Sequence, residues 1–212
     1  KVNTALCLLL LGMGLVVAAS GRPRWSAAAG ALAAGIGLAT LTEYVLGVDL
    51  GLDTLVSRGV EASVGTGLEH PSRMAPVTSV ALVCLGTGLA LGRRLPVLTQ
   101  TLALSAIGLG YVSLLGYAYG ERQLHTLGVA SGVAVTTAAA LALTGVGLLW
   151  RHPTRGVPRL LRESGTVGRL VRPMVVFAVV VPPLSGALRL AGQREGLFGT
   201  AFGVALMTIG WT

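Results

Sequence analysis

The chain has 212 residues, of which 53% are hydrophobic and only 11% charged, and its mean hydropathy is +0.77; this leaves too little polar surface for an ordinary soluble globule. The formal net charge of +8 would raise nucleic acid as a partner in a soluble protein, but the basic residues gather at the ends of apolar runs, which excludes nucleic acid and points to a lipid surface. A β-barrel is excluded too, because continuous runs such as ALCLLLLGMGLVVAA lack the alternation of a barrel strand.

Spanning a bilayer takes roughly 20 apolar residues in a helix. Seven runs approach that length, at about 3–20, 26–47, 75–92, 96–119, 129–150, 173–191 and 197–212. The expected fold is an all-α integral membrane protein of about seven transmembrane helices, forming a single domain over 1–212 and built from repeated helical hairpins.

The first run carries Thr4, Gly12, Gly14 and Leu15, a skeleton that returns as Thr78, Gly86, Gly88 and Leu89 and again as Thr137, Gly145, Gly147 and Leu148. Glycine inside hydrocarbon is a packing device, so all six glycines are expected at close helix contacts. The threonines stand near helix starts and are expected to cap free amides. Each copy ends in a basic, proline-containing stretch, GRPR, GRRLP and RHPTR.

A second unit alternates with the first. Gly35, Gly37, Leu41, Tyr44 and Gly47 of the second run match Gly108, Gly110, Leu114, Tyr117 and Gly120 of the fourth. The second run also holds Glu43, an ionisable residue at membrane depth and hence a functional candidate, with Arg73 or Arg122 as the expected partner. The segment 48–76 that follows reads as an outer loop containing a short amphipathic helix, with Leu52, Leu55, Val56 and Val60 at helical spacing. His70 in this loop reads as solvated. Tyr111, Tyr117 and Tyr119 near the end of the fourth run read as an aromatic belt, with a tyrosine-lined pocket as the alternative.

After the fifth run, the loop 151–172 holds six arginines and one glutamate and is suited to anionic headgroups, or to a cytoplasmic partner. The sixth run is expected to start at Pro173 and to kink or break at Pro182 and Pro183. Ten of the sixteen basic residues fall on the side of these arginine stretches, while the other side mixes six basic residues with Asp49, Asp53, Glu61, Glu69, Glu121 and Glu195. The positive-inside rule makes the first side cytoplasmic, with Lys1 outside and Thr212 inside.

No nucleophile, base and orienting group stand at a recognisable spacing, so no enzyme is read. No cofactor or metal site is read either. Lys1 is the sole lysine, which excludes a retinal Schiff base on the last helix, and Cys7 and Cys84 lie in apolar runs without partners at metal-ligand spacing.

Four stretches together, VNTALCLLLLGMGL, LTEYVLGVDLGLDTL, HPSRMAPVTS and LRLAGQREGLFGTAFGVAL, resemble bacterial multi-pass membrane sensor modules of the kind found before PAS, histidine-kinase or diguanylate-cyclase domains. That resemblance implies a signal-input domain in the bacterial inner membrane, with a fused or associated cytoplasmic signalling domain as partner. A structural subunit of a larger membrane complex and a small repeat-built transporter are the alternatives.

The expected input site is the outer mouth formed by Glu43, Tyr44, Asp49, Asp53, Arg73, Tyr117 and His125, where acidic and aromatic groups gather at helix ends. A partly desolvated carboxylate there would answer to protons, a cation or a small polar ligand.

Overall fold

The computed structural model describes residues 1–48, 51, 73–120 and 132–196, and among these it is entirely helical. Seven helices follow in order: α1 (Val2–Ala19), α2 (Pro23–Leu46), α3 (Pro76–Leu91), α4 (Pro96–Tyr119), α5 (Val135–Leu149), α6 (Gly156–Arg162) and α7 (Thr166–Arg194). Four of them, α1, α2, α4 and α7, are long and apolar enough to cross a membrane. The helices α3 and α5, of 16 and 15 residues, are shorter apolar helices. The last expected run, at 197–212, and the amphipathic segment after Leu50 lie outside the described residues.

Local sequence explains where these helices begin and end. Pro23, Pro76 and Pro96 occupy the first helical position of α2, α3 and α4, where the missing N–H breaks no hydrogen bond. Gly47 and Gly120 close α2 and α4 in the left-handed conformation, at φ 65° and 71°, which a side chain would resist. Between α1 and α2, Gly21 turns the chain at φ 76° while the Arg22 amide bonds the Val17 carbonyl, so three residues suffice to reverse direction. No side-chain cap bonds an amide at the starts of α1, α3 or α5, contrary to the role expected of Thr4, Thr78 and Thr137. These threonines lie inside the first turn, each three residues past the N-cap (Lys1, Ala75 and Ala134), and Thr4 and Thr78 are buried.

The chain forms two compact units, Lys1–Pro158 and Arg159–Thr212. In the first, α2 packs along α1 and α3, α4 along α3 and α5, and the three odd-numbered helices touch one another. The core lies at their junction and comprises Cys7, Leu11, Leu82, Leu85, Leu89, Leu141 and Leu148, all at most 1% exposed.

Glycines set how closely the helices approach. A β-carbon at Gly86 would stand 2.5 Å from the Gly30 carbonyl oxygen and 2.6 Å from the Ala34 nitrogen, so α2 and α3 touch backbone to backbone. The corresponding contact between α4 and α5 brings Gly145 against the Ala103 carbonyl oxygen at 3.1 Å and the Ile107 nitrogen at 3.4 Å. Further along, Gly37 faces the Ser79 carbonyl and Gly110 the Ala138 carbonyl, at 2.9 and 2.7 Å from their β-carbon positions. Gly14 and Gly88 pack under Leu89 and Leu148 at 2.7 and 2.8 Å, and Gly147 meets Leu15 at 3.1 Å. Gly12 departs from the expectation: nothing lies within 4 Å of its β-carbon position, because neither α2 nor any other described helix of the first unit covers that face of α1.

The chain after α5 corrects two expectations. The segment 151–172 is not one loop, since it contains α6 and the first turns of α7. Nor do the prolines start or break the following helix: α7 begins at Thr166 and runs through Pro173, Pro182 and Pro183 to Arg194. Each proline removes the helix bond to the carbonyl four residues earlier without ending the helix; separately, the Ser185 hydroxyl donates to the Pro182 carbonyl at 2.9 Å.

Candidate functional site

The residue pattern that closes α2 also places its polar side chains. Gly47 stops the helix one turn after Glu43 and Tyr44, and residues 73–75 lead into α3, with Arg73 in a bend, Met74 fully buried and Ala75 extended at φ −63°, ψ 142°. Tyr44 donates its hydroxyl to the Met74 carbonyl at 2.8 Å. Glu43 is 0% exposed and accepts Arg73 as its ion-pair partner, Nε to Oε2 3.5 Å, with the Arg73 side chain itself only 8% exposed. The same guanidinium sits 5.4 Å from the centre of the Tyr44 ring, a cation–π contact. Lys1, at the start of α1, donates its ammonium to the Arg73 carbonyl.

Three of the expected site residues thus come together where the end of α2, with Glu43 and Tyr44, meets Arg73 on the segment leading into α3. Tyr117 sits elsewhere: its hydroxyl donates to the Val133 carbonyl at 2.6 Å, just before α5. Asp49, Asp53 and His125 lie outside the described residues. Lys1 was not foreseen as a site residue, since its position at the start of the chain gave no sign that it reaches Arg73.

The two tyrosines do the same work at matching places. Each reaches from the end of an even-numbered helix to a carbonyl two residues before the next odd-numbered helix. Counting from Tyr44 to Tyr117, Glu43 corresponds to Gly116; counting from Thr78 to Thr137, Arg73 corresponds to Gly132. The tyrosine bond is therefore common to both hairpins, while among the described residues the buried ion pair belongs to the first. Comparing the copies position by position would have isolated Glu43 and Arg73 from sequence.

A charged pair in a desolvated place is not a device for stability, because desolvation offsets most of its attraction. No group of three His, Cys, Asp or Glu side chains is placed to hold a metal among the described residues. No protein-family model, curated protein or solved structure matches this chain. The site is accordingly read from its own geometry: a polar latch joining α1, α2 and the segment before α3.

At the opposite end of the bundle, Arg151 donates to the Leu89 carbonyl of α3 at 2.9 Å. Burial, and then the neighbouring Arg93, lower the pKa of its guanidinium below the usual arginine value. This bond ties the last turn of α3 to the chain leaving α5, so the two ends of α3 are each held by an arginine.

Replacing Tyr117 with Phe removes one hydrogen bond and leaves a buried carbonyl to find another donor. The expected cost is about 1 kcal/mol in denaturant unfolding of the membrane-reconstituted protein. Tyr44→Phe is expected to cost about as much, because it removes only the hydroxyl bond to Met74 and the phenyl ring still faces Arg73. Equal stability of both variants with the natural protein would show that neither hydroxyl anchors the following helix.

Proposed function

We propose that the chain is a membrane-embedded signal-input domain, whose sensing element is the Glu43–Arg73 pair at the outer end of the bundle. The observation that carries this reading is the asymmetry between the hairpins. A scaffold bonded through Tyr44 and Tyr117 would stand with Gly116 and Gly132 in both copies, yet the first copy buries a charge pair at a cost in desolvation. Such a pair provides an element with two arrangements, formed and broken, which an external proton, cation or polar ligand can bias. The recurrence of the same helix contacts in α1–α3 and α3–α5 supports an internal hairpin repeat as the scaffold.

In this reading that end lies outside and the arginine-rich end in the cytoplasm, which the excess of basic residues there supports, and the membrane is the bacterial inner membrane that the sequence resemblance implies. A break in the pair would loosen the lead-in to α3, and the Arg151 bond at the far end of α3 would carry that change to residues 151–155. A fused or associated signalling domain would read it there, and anionic headgroups would hold the surrounding arginines. The transporter reading loses its main support, because the segment at Pro182–Pro183 is helical throughout.

One labelling experiment tests both orientation and response. In right-side-out vesicles a cysteine at Val48 is expected to react with an impermeant reagent, and one at Thr154 only after the inner face is opened. The rate at Thr154 should then change roughly fivefold or more as external pH or divalent cation is varied, the effect of a coupling free energy of about 1 kcal/mol. The double variant Glu43→Gln with Arg73→Gln, which leaves neither charge alone, should abolish that change. A response that survives in the double variant would remove the pair from sensing, and reversed labelling would overturn the orientation.

A further inference from the structure

The chain from the end of α6 into α7 is strongly basic. Between Arg159 and Arg172 stand four arginines, at 159, 162, 169 and 172, against one carboxylate, Glu163. Arg159, Arg162 and Arg169 are exposed and form no ion pair among the described residues. The other acidic residues belong, in sequence, to the far side of the membrane: Glu43 lies in the last turn of α2, Asp49, Asp53, Glu61 and Glu69 follow it, Glu121 follows α4 and Glu195 follows α7. Residues 197–212 contain none. In that topology these 212 residues supply no counter-charge where α7 begins.

Two hydrogen bonds and one glycine fix the shape of this elbow. Arg172, in the second turn of α7, donates its Nε to the Leu161 carbonyl at 2.8 Å and an Nη to the Glu163 carbonyl at 3.1 Å, and so closes the C-terminal end of α6. The Glu163 carbonyl also lies against Gly168, with no room for a β-carbon between them. Both bonds go to main-chain oxygens, so the guanidinium keeps its full charge.

The sequence of α7 sets the depth of the elbow. From Pro173 to Leu188 the helix carries no charge, and Arg172 and Arg189 bracket a stretch of about 24 Å at roughly 1.5 Å per residue. That approaches the hydrocarbon thickness of about 30 Å, and the long arginine stems reach the remainder. Arg172 therefore stands at one boundary and holds the end of α6 at the same level. Residues 166–171 before it span about 9 Å, comparable with a headgroup layer. Their faces agree, since Val167 and Leu170 share one side of these first turns and Arg169 and Arg172 the opposite side. Leu170 is 60% exposed and Leu160 of α6 38%. Exposed leucines beside unpaired arginines match acyl chains and phosphates together, whereas an acidic protein surface would match the arginines alone.

We infer that the α6–α7 elbow is a binding site for an anionic phospholipid of the phosphatidylglycerol type, its phosphate drawn to Arg159, Arg162 and Arg169 and its acyl chains covering Leu170. The fixed shape and the contact with acyl chains set this site apart from a general attraction of basic residues to headgroups. It shares with the proposed function only the membrane setting, because Glu43 and Arg73 take no part in it.

The probe is a bimane on Val167→Cys, in the full chain with Cys7 and Cys84 replaced by alanine, reconstituted in phosphatidylcholine vesicles. Minor amounts of phosphatidylglycerol or phosphatidylcholine bearing a nitroxide high on one acyl chain serve as quenchers. Quenching is expected to show the phosphatidylglycerol associating about fivefold more strongly, the factor that one arginine near a charged surface contributes. Arg159→Gln, Arg162→Gln and Arg169→Gln together should bring the ratio close to one. Lysine at the same three positions should keep most of the preference, because a point charge still attracts phosphate. Inorganic phosphate at constant ionic strength should leave it unchanged, which separates a lipid from the free ion. Equal association of the two lipids with the natural arginines, a preference kept by the glutamine variant or lost in the lysine variant, or displacement by inorganic phosphate would each overturn the site. So would quenching by aqueous iodide in place of lipid, the result expected if an acidic protein docks on an elbow that stands in water.

Discussion

Replacing Gly86 with leucine is expected to destabilise the bundle by about 3 kcal/mol or more, at the upper end of what overpacking does. The reason is the nature of the neighbours. A side chain at Gly86 would meet the Gly30 carbonyl oxygen at 2.5 Å and the Ala34 backbone nitrogen at 2.6 Å, and helix backbone cannot rotate away as a side-chain tip can. α2 and α3 would have to move apart, losing the dispersion contacts along their whole length. The matched control is Gly12→Leu, at the same skeleton position of α1 but with open space beyond it, where the expected change is within about 0.5 kcal/mol. Denaturant unfolding of both variants in bicelles makes the comparison. A cost at Gly86 no greater than at Gly12 would contradict the close crossing.

The second large effect is expected at Glu43. Glu43→Leu leaves the Arg73 guanidinium buried without its carboxylate, a change that costs about 3–5 kcal/mol when one member of a buried pair is removed. Arg73→Met should cost a similar amount, by leaving the carboxylate behind. The double variant Glu43→Leu with Arg73→Met should be far less damaging than the sum of the two, because neither charge is then left desolvated. Additive costs in this cycle would mean that the two groups do not interact, despite a separation of 3.5 Å.

These two sites also show where reading the residues succeeds. Spacing alone picked out Gly86, Gly88 and Gly145, because a glycine that recurs in an apolar helix has few uses other than close approach. The same spacing misled at Gly12, whose neighbours depend on which helix lies beside it, and a linear pattern carries no record of that. Glu43 stood out by its charge, and Arg73 was one of two arginines expected as its partner; choosing between them required the path by which residues 73–75 enter α3 beside the end of α2. The tyrosines were recognised as a matched pair, but their partners are main-chain carbonyls, which have no signature in sequence. Thr4, Thr78 and Thr137 suggested caps by position, yet proline at the start of α3 and the extended residues before α3 and α5 set those ends without a hydroxyl. At α7 the error was local: proline disfavours a helix interior in water, but an apolar helix in hydrocarbon has no better alternative for its remaining amides.

The glycine crossings of α2 on α3 and α4 on α5 set how the bundle behaves with temperature. Separating two such helices in a bilayer exchanges protein neighbours for lipid tails of similar polarity, so little apolar surface meets water and the heat-capacity change is small. What is lost is close contact between main chains, an enthalpic quantity that does not fade on cooling as water-driven association does. The bundle is therefore held as firmly in the cold as in the warm, and the lipid, through its thickness and order, becomes the variable that sets how tightly the helices close.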